Sequence, residues 1–136
     1  MDYIKWLKDN LNEERYEHSL GVADKSAELA EKFGLDVEKA RLAGLVHDCA
    51  KCLSKEKLIE IINNNMQVEQ CELINPKTFH APAGAYVAQH VLGINDKEIL
   101  SAIRWHTIGY SGMTDFEKVI FIADKIEDRT RPKDMI

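Results

Sequence analysis

Positive charge is scarce in this sequence. Eighteen lysines and arginines face 23 aspartates and glutamates, leaving a formal net charge of -5 and a pI near 5.5. Such a chain offers no positive field to a polyanionic backbone, and no window contains five or six like charges in a row, so polymeric nucleic acid is excluded as a partner class. Long apolar runs are missing too. No uncharged stretch reaches the roughly 18 residues of a membrane span, and the opening Met1-Asp2-Tyr3-Ile4-Lys5-Trp6 lacks the basic-then-apolar order of a secretion signal. The expected location is the cytoplasm, with no membrane partner. Cysteine is limited to Cys49, Cys52 and Cys71, an odd number that fits a reducing compartment better than a disulfide framework. Cys49 and Cys52 have C-x-x-C spacing, but a redox dithiol calls for a β-α-β setting and a zinc site for a second ligand pair, and the sequence supplies neither.

No segment alternates apolar and polar residues over strand length, and there is no internal repeat or low-complexity tract. Helical periodicity dominates instead. Ile4, Leu7 and Leu11 form one stripe, and Tyr16, Leu20, Ala23, Ala27 and Ala30 form another over about 13–33, closed by Gly34 as a residue able to take positive φ. Asp36 predicts the cap of a helix running to about Ala50, and Ser54 that of a short helix holding Leu58, Ile61 and Ile62. From Asn63-Asn64-Asn65 to Phe79 the pattern is poorly periodic and reads as one long loop. Pro82 suits the first turn of a helix that Gly93 closes, with His80 just before its start. Asn95-x-x-Glu98 and Thr114-x-x-Glu117 match the capping-box pattern and predict helices over about 95–106 and 114–128, with a turn at 109–112. The fold class is all-α: an irregular helical bundle forming a single domain over 1–136. With 45 % hydrophobic residues the sequence supplies one core.

Leu45-Val46-His47-Asp48-Cys49-Ala50-Lys51 places three ionisable groups inside one of the more apolar runs. Burying such groups unpaired costs several kcal/mol each, so something must hold them. On a helix turning about 100° per residue, with His47 at zero, Asp48 lies near roughly 100° and Lys51 near roughly 40°, all on one face. A metal ion would resolve the burial problem, giving the carboxylate a counter-charge and the imidazole a bond, while Lys51 could reach an anion bound there. Further N and O donors stand on other predicted helices or at their ends: His18, His80, His106, and Asp124 within the apolar Val119-Ile120-Phe121-Ile122-Ala123 run. Each alone could be a hydrogen-bonded core or loop residue, and Asp124 could pair with an arginine such as Arg129. Together they form the order H…HD…H…H…D. His90 has no partner in this pattern.

That order resembles the HD-domain metal-dependent phosphohydrolases, and more narrowly the YqeK-type branch of symmetrical bis(5′-nucleosyl)-tetraphosphate hydrolases. The matching segments are Arg15-x-x-His18-Ser19-x-Gly21-Val22, Ala43-Gly44-Leu45-Val46-His47-Asp48-x-Ala50-Lys51, His80-x-Pro82-x-Gly84-Ala85, Ala102-Ile103-x-x-His106-Thr107 and Ala123-Asp124-x-Ile126-Glu127. The resemblance implies that His18, His47, Asp48 and Asp124 hold one metal ion, often iron in this branch, although manganese and zinc accept the same donors. For His80 and His106 it implies either a second ion bridged by Asp48 or contact with substrate phosphate. Lys51 and Thr107 would touch phosphate as well. Arg129 or Arg131 would match the family arginine, and Arg129 is taken as the substrate contact. The implied substrate is a dinucleoside tetraphosphate, diadenosine tetraphosphate above all, cut in the middle to give two ADP. Asp48 and Lys51 would be the catalytic pair, since a metal can lower the pKa of bound water enough to supply hydroxide and a lysine can offset charge on the transferring phosphoryl group. Two other outcomes stay open: a different HD nucleotidase or phosphodiesterase, or a nucleotide-sensing module without turnover. A homodimer is also left open. Cys49 and Ala81 depart from the residues more usual in the family. The metal set is expected complete; family members continue past the last aspartate into further helix and additional polar residues, whereas this sequence stops at Ile136, which leaves the completeness of the nucleotide pocket open.

Overall fold

Local signals start the helices. In the computed structural model, which describes residues 1–131, Asp2, Asn12, Asp36, Ser54 and Thr114 each accept a hydrogen bond from the N–H three residues further on. Each satisfies a donor that the first helical turn leaves unpaired, at about 1 kcal/mol per cap. The helices are α1 (Tyr3–Asn10), α2 (Glu13–Lys32), α3 (Val37–Val46), α4 (Lys55–Asn65), α5 (His80–His90), α6 (Lys97–Trp105) and α7 (Asp115–Ile126). No strand occurs among the described residues. The all-α class is therefore what the chain adopts, and among the described residues no helix is long and apolar enough to cross a membrane.

Three predicted details shift. The capping box at Thr114 and Glu117 forms, but at α6 the cap is Asp96, not Asn95, because its carboxylate accepts from the N–H groups of both Glu98 and Ile99. Asn63, Asn64 and Asn65 belong to the last turn of α4, where the Asn65 side-chain amide donates to the Ile61 carbonyl at 3.1 Å. The largest difference concerns α3, which ends at Val46 rather than near Ala50. From there the backbone runs in tight turns whose N–H groups bond three residues back, Cys49 to Val46, Lys51 to Asp48 and Leu53 to Ala50. The Gly44 carbonyl, which a continuing α-helix would offer to Asp48, accepts the His47 ring nitrogen Nδ1 at 2.6 Å. The 100° arithmetic for His47, Asp48 and Lys51 therefore does not apply. At roughly three residues per turn, Lys51 lies above Asp48.

The predicted long loop contains two short 3₁₀ helices, Gln70–Leu73 and Pro76–Thr78. It is tied to the bundle by Glu72, 1 % exposed, which accepts from Arg104 Nε and Nη2 at 2.7 and 2.8 Å. Both hydrogen bonds join one guanidinium to one carboxylate, the geometry in which a buried ion pair can offset its desolvation.

The long α2 packs on α3 and α7, while α6 packs on α5 and α7. Leu7, Val46, Ile103 and Ile120 are fully buried in the shared core. The α2–α3 approach depends on a missing side chain. A Cβ at Gly44 would stand 2.7 Å from both Ser26 Oγ and the Val22 carbonyl oxygen. Since the obstacle includes backbone, Gly44→Ala is expected to cost about 2–3 kcal/mol, read as a lower urea midpoint with an unchanged m-value.

A second polar group is buried at the start of α7. Glu117, 2 % exposed, accepts from Ser101 Oγ and the Tyr110 hydroxyl, both at 2.6 Å, and from the Thr114 N–H. Burial pushes its carboxyl up, but these donors outweigh it and hold it below the ordinary 4.5. A carboxyl lowered on folding adds stability above its unfolded value, and that contribution fades as pH falls through the depressed one. Glu117→Gln is therefore expected to cost about 1–2 kcal/mol at pH 7. Urea midpoints should converge with the parent's as pH is lowered from about 4.5.

Candidate metal centre

Four histidines and two aspartates meet inside the bundle. His18 comes from the middle of α2, His47 and Asp48 from the tight turns after α3, His80 from the first residue of α5, His106 from the C-terminal cap of α6 and Asp124 from the last turns of α7. His18, His47, Asp48 and His106 are at most 2 % exposed and His80 is 6 % exposed. The imidazoles lie in a row, His18 to His47 to His106 to His80, with ring centroids 5.2, 4.9 and 5.2 Å apart.

Each ring is fixed from behind. Nδ1 of His47 faces the Gly44 carbonyl at 2.6 Å, Nδ1 of His80 the Lys77 carbonyl at 3.0 Å and Nδ1 of His106 the Ile103 carbonyl at 2.6 Å. Nδ1 of His18 faces Glu127 Oε2 at 2.7 Å. Carbonyl and carboxylate oxygens only accept, so all four rings carry hydrogen on Nδ1 and turn Nε2 inward, the arrangement that orients histidines toward a metal.

The inward nitrogens surround two carboxylate oxygens. Asp124 Oδ1 lies 2.7 Å from His18 Nε2 and 3.2 Å from His47 Nε2. Asp48 Oδ1 lies 3.4 Å from Nε2 of both His80 and His106 and 3.7 Å from that of His47. Distances of 3.4–3.7 Å are long for hydrogen bonds. The two 3.4 Å separations match donors sharing an ion, since bonds of about 2.1 Å put neighbouring ligands ~3.0–3.4 Å apart. The potential ligand atoms of His18, His47 and Asp124 lie within 4.8 Å of one another, as do those of His47, Asp48 and His106. Geometry and donor type thus fit a cation.

Electrostatics agree. Burial pushes the Asp124 and Asp48 carboxyls up, yet the surrounding imidazoles hold both well below the ordinary carboxylate range. Burial pulls His47 down, but Asp48 and Asp124 together bring it above its usual value. His80 is lowered, first by burial and also by His106 and Lys51. The two carboxylates stay ionised in a buried space, while His80 is held toward its neutral form, the state in which an imidazole can ligate.

Several contacts at the cluster join residues that no local sequence pattern pairs. Arg15, half-buried on α2, bonds Asp48 Oδ2 through Nη2 and, at 3.1 Å, through Nε, so that Oδ1 alone faces the cluster. Glu127 is fully buried behind His18 and is further held by the backbone N–H groups of Arg129 and Thr130. Gly21 makes its space: a Cβ there would stand 2.5 Å from Glu127 Oε1. Both Arg15 and Glu127 lie in the motif segments, but their partners are 33 and 109 residues away, a pairing only the fold reveals. Glu127→Gln is expected to weaken metal binding about 10- to 100-fold, measurable by competition with a chelator of known affinity.

Lys51 is half-buried in a cleft that reaches His80, and Thr107 is half-buried beside His106. Arg129 does not join the cluster. Its guanidinium lies on Glu17 at 2.9 Å, with Asp24 at 3.7 Å. Arg131 is the arginine that reaches Asp124, bonding its carbonyl through Nε and Nη2 at 3.1 and 3.0 Å. The cysteines are free thiols; Cys49 is buried behind Asp48, its thiol pushed up to about 12 by burial, and Cys52 is exposed.

An all-α domain with histidines and aspartates from five helical segments converging in its core defines a class of metal-centred helical domains. The chain belongs to the HD domain family, which residues 15–128 match. It is 46 % identical over 121 residues to a symmetrical bis(5′-nucleosyl)-tetraphosphatase of Bacillus subtilis, an alignment covering 89 % of this chain and 65 % of that protein. A protein of the same name from Staphylococcus aureus is 41 % identical over 92 % of this chain and 65 % of its own length. A crystal structure from Clostridium acetobutylicum, described as a predicted HD superfamily hydrolase involved in NAD metabolism, superposes with a TM-score of 0.90 at 45 % identity, covering 98 % of this chain and 71 % of that one. The chain therefore spans just under two thirds of the length of these curated relatives.

Proposed function

We propose that this chain is a metal-dependent phosphohydrolase that cleaves dinucleoside tetraphosphates symmetrically, converting diadenosine tetraphosphate and water to two ADP. The observation that carries the reading is the common orientation of His18, His47, His80 and His106, each anchored through Nδ1 with Nε2 turned toward Asp48 and Asp124. The names of the relatives from B. subtilis and S. aureus supply the substrate.

In this reading His18, His47, Asp48 and Asp124 hold the ion, and His80 and His106 complete its surroundings or contact phosphate. Because Arg15 engages Asp48 Oδ2, that aspartate has one oxygen left for the cluster, which favours one ion over two bridged through both oxygens. A bound metal supplies a water of lowered pKa and neutralises phosphoryl oxygens. We take the ion as iron, with manganese and zinc sharing the donor set. The chain's own groups do the rest. Lys51 offsets the charge that gathers on the central bridging oxygen as the phosphorus–oxygen bond breaks and the second ADP departs. Thr107, next to His106, would orient phosphate, and of the two arginines Arg131, whose guanidinium bonds the Asp124 carbonyl, stands closer to the cluster than Arg129, which bonds Glu17. Reduced thiols at Cys52 and Cys71 suit the cytoplasm.

The test is an assay of the metal-loaded protein on diadenosine tetraphosphate with products resolved by chromatography. ADP as the sole nucleotide product supports the reading; AMP plus ATP, or no turnover with iron or manganese, overturns it.

A further inference from the structure

Of the 13 lysines present in the sequence, three share one cleft. It has a volume of about 270 Å³ and opens between the N-terminus of α4 and the Pro76–Thr78 turn, with Lys51, Lys55 and Lys77 on its walls, Leu53 and Leu58 among its apolar lining, and His80 at its edge. Among the described residues, no carboxylate lines it. None of the three lysines forms an ion pair among the described residues, whereas Lys25, Lys39, Lys57, Lys118 and Lys125 all do. Three unneutralised ammonium groups in one cleft repel one another, and a protein of net charge -5 had carboxylates available to place beside them. An anion is the partner that relieves this.

Position narrows the anion. His80 belongs both to this cleft and to the histidine row, and its Nδ1 bonds the carbonyl of Lys77, so the lysine-bearing turn is tied directly to the cluster. Lys51 and His80 line the same cleft. The cleft thus continues the cluster outward on the His80 side. A lone phosphate at the cluster would leave Lys55 and Lys77, both exposed at the outer walls, without a partner. A chain of phosphates spans both.

We infer that this cleft is an oligophosphate subsite in which Lys55 and Lys77, together with Lys51, hold the phosphates lying beyond the one at the metal cluster. The inference rests on the proposed phosphohydrolase reading for its direction and adds two binding residues, Lys55 and Lys77, that set how the phosphate chain is seated. Holding the outer diphosphate there fixes which phosphorus stands at the cluster, so the subsite acts on cleavage position as well as affinity.

The experiment is calorimetric binding of inorganic tripolyphosphate to the full chain loaded with manganese, comparing the parent, Lys55→Ala/Lys77→Ala, and Lys5→Ala/Lys32→Ala. The last pair removes exposed, unpaired lysines of α1 and α2 and controls for net charge. The cleft variant should bind tripolyphosphate about ten-fold or more weakly while retaining the parent's manganese content and its affinity for single inorganic phosphate. The control should change less than two-fold. Equal loss in both variants, or an unchanged cleft variant, would overturn the subsite. Hydrolysis is read separately: a parent inert toward diadenosine tetraphosphate, with lysine-dependent tripolyphosphate binding intact, would remove the proposed substrate and leave the subsite standing.

Discussion

Asp48→Ala is expected to lose metal and turnover together, with kcat on diadenosine tetraphosphate falling by about 10³-fold or more. The side chain is 1 % exposed, and its Oδ1 faces the Nε2 atoms of His47, His80 and His106. In the proposed function, removing it takes away a ligand and one of the two negative charges that would draw a cation into the core. It also strands Arg15, whose guanidinium is bonded to Oδ2. Metal per chain, measured by atomic emission, should drop well below that of the parent, and circular dichroism should still show a helical fold. A variant that kept its metal and its rate would remove Asp48 from the site. The conservative change Asp48→Asn separates charge from shape: it preserves volume and should also lose the ion, because a neutral amide oxygen is a poorer partner for the cation.

Chelation is the second large effect. An ion bound only to the folded state stabilises it by about 2.7 kcal/mol when free metal is a hundred times Kd. For a chain of this size about 4 °C accompanies each kcal/mol, so stripping the metal should lower Tm by roughly 10 °C, restored by adding the ion back. The cost has a structural source. Without a cation, four imidazoles and two carboxylates occupy a core in which Asp48 has no hydrogen-bond partner at normal distance among the histidines. A chelated protein melting within a degree of the untreated one would make the cluster a set of ordinary core pairs.

Much of this was legible in the sequence because the signals were local. Periodicity and caps at Asp36, Ser54 and Thr114 located helices, since a cap and the amide it satisfies are three residues apart. Burial of His47, Asp48 and His106 followed from their apolar neighbours. Where sequence reasoning failed, competition between near-equivalent partners decided: Asp96 over the adjacent Asn95, and a side chain, His47, taking the carbonyl that would have extended α3. What sequence could not give was set by long-range contact. The seat of Glu127 behind His18 depends on the absent side chain of Gly21, the anchoring of the 66–79 segment depends on Arg104 from α6, and the diversion of Arg129 to Glu17 depends on how α7 ends against α2. The cationic cleft is also invisible in one dimension, because Lys77 joins the nearby Lys51 and Lys55 only in the fold.

The most direct measurement is anomalous diffraction from crystals of the manganese- or iron-loaded protein, with data collected on either side of the metal's absorption edge. We expect a peak bonded at about 2.1 Å to Nε2 of His18 and His47 and to carboxylate oxygens of Asp48 and Asp124. An anomalous peak bound elsewhere in fully loaded crystals, with those four side chains making no contact to it, would contradict the account.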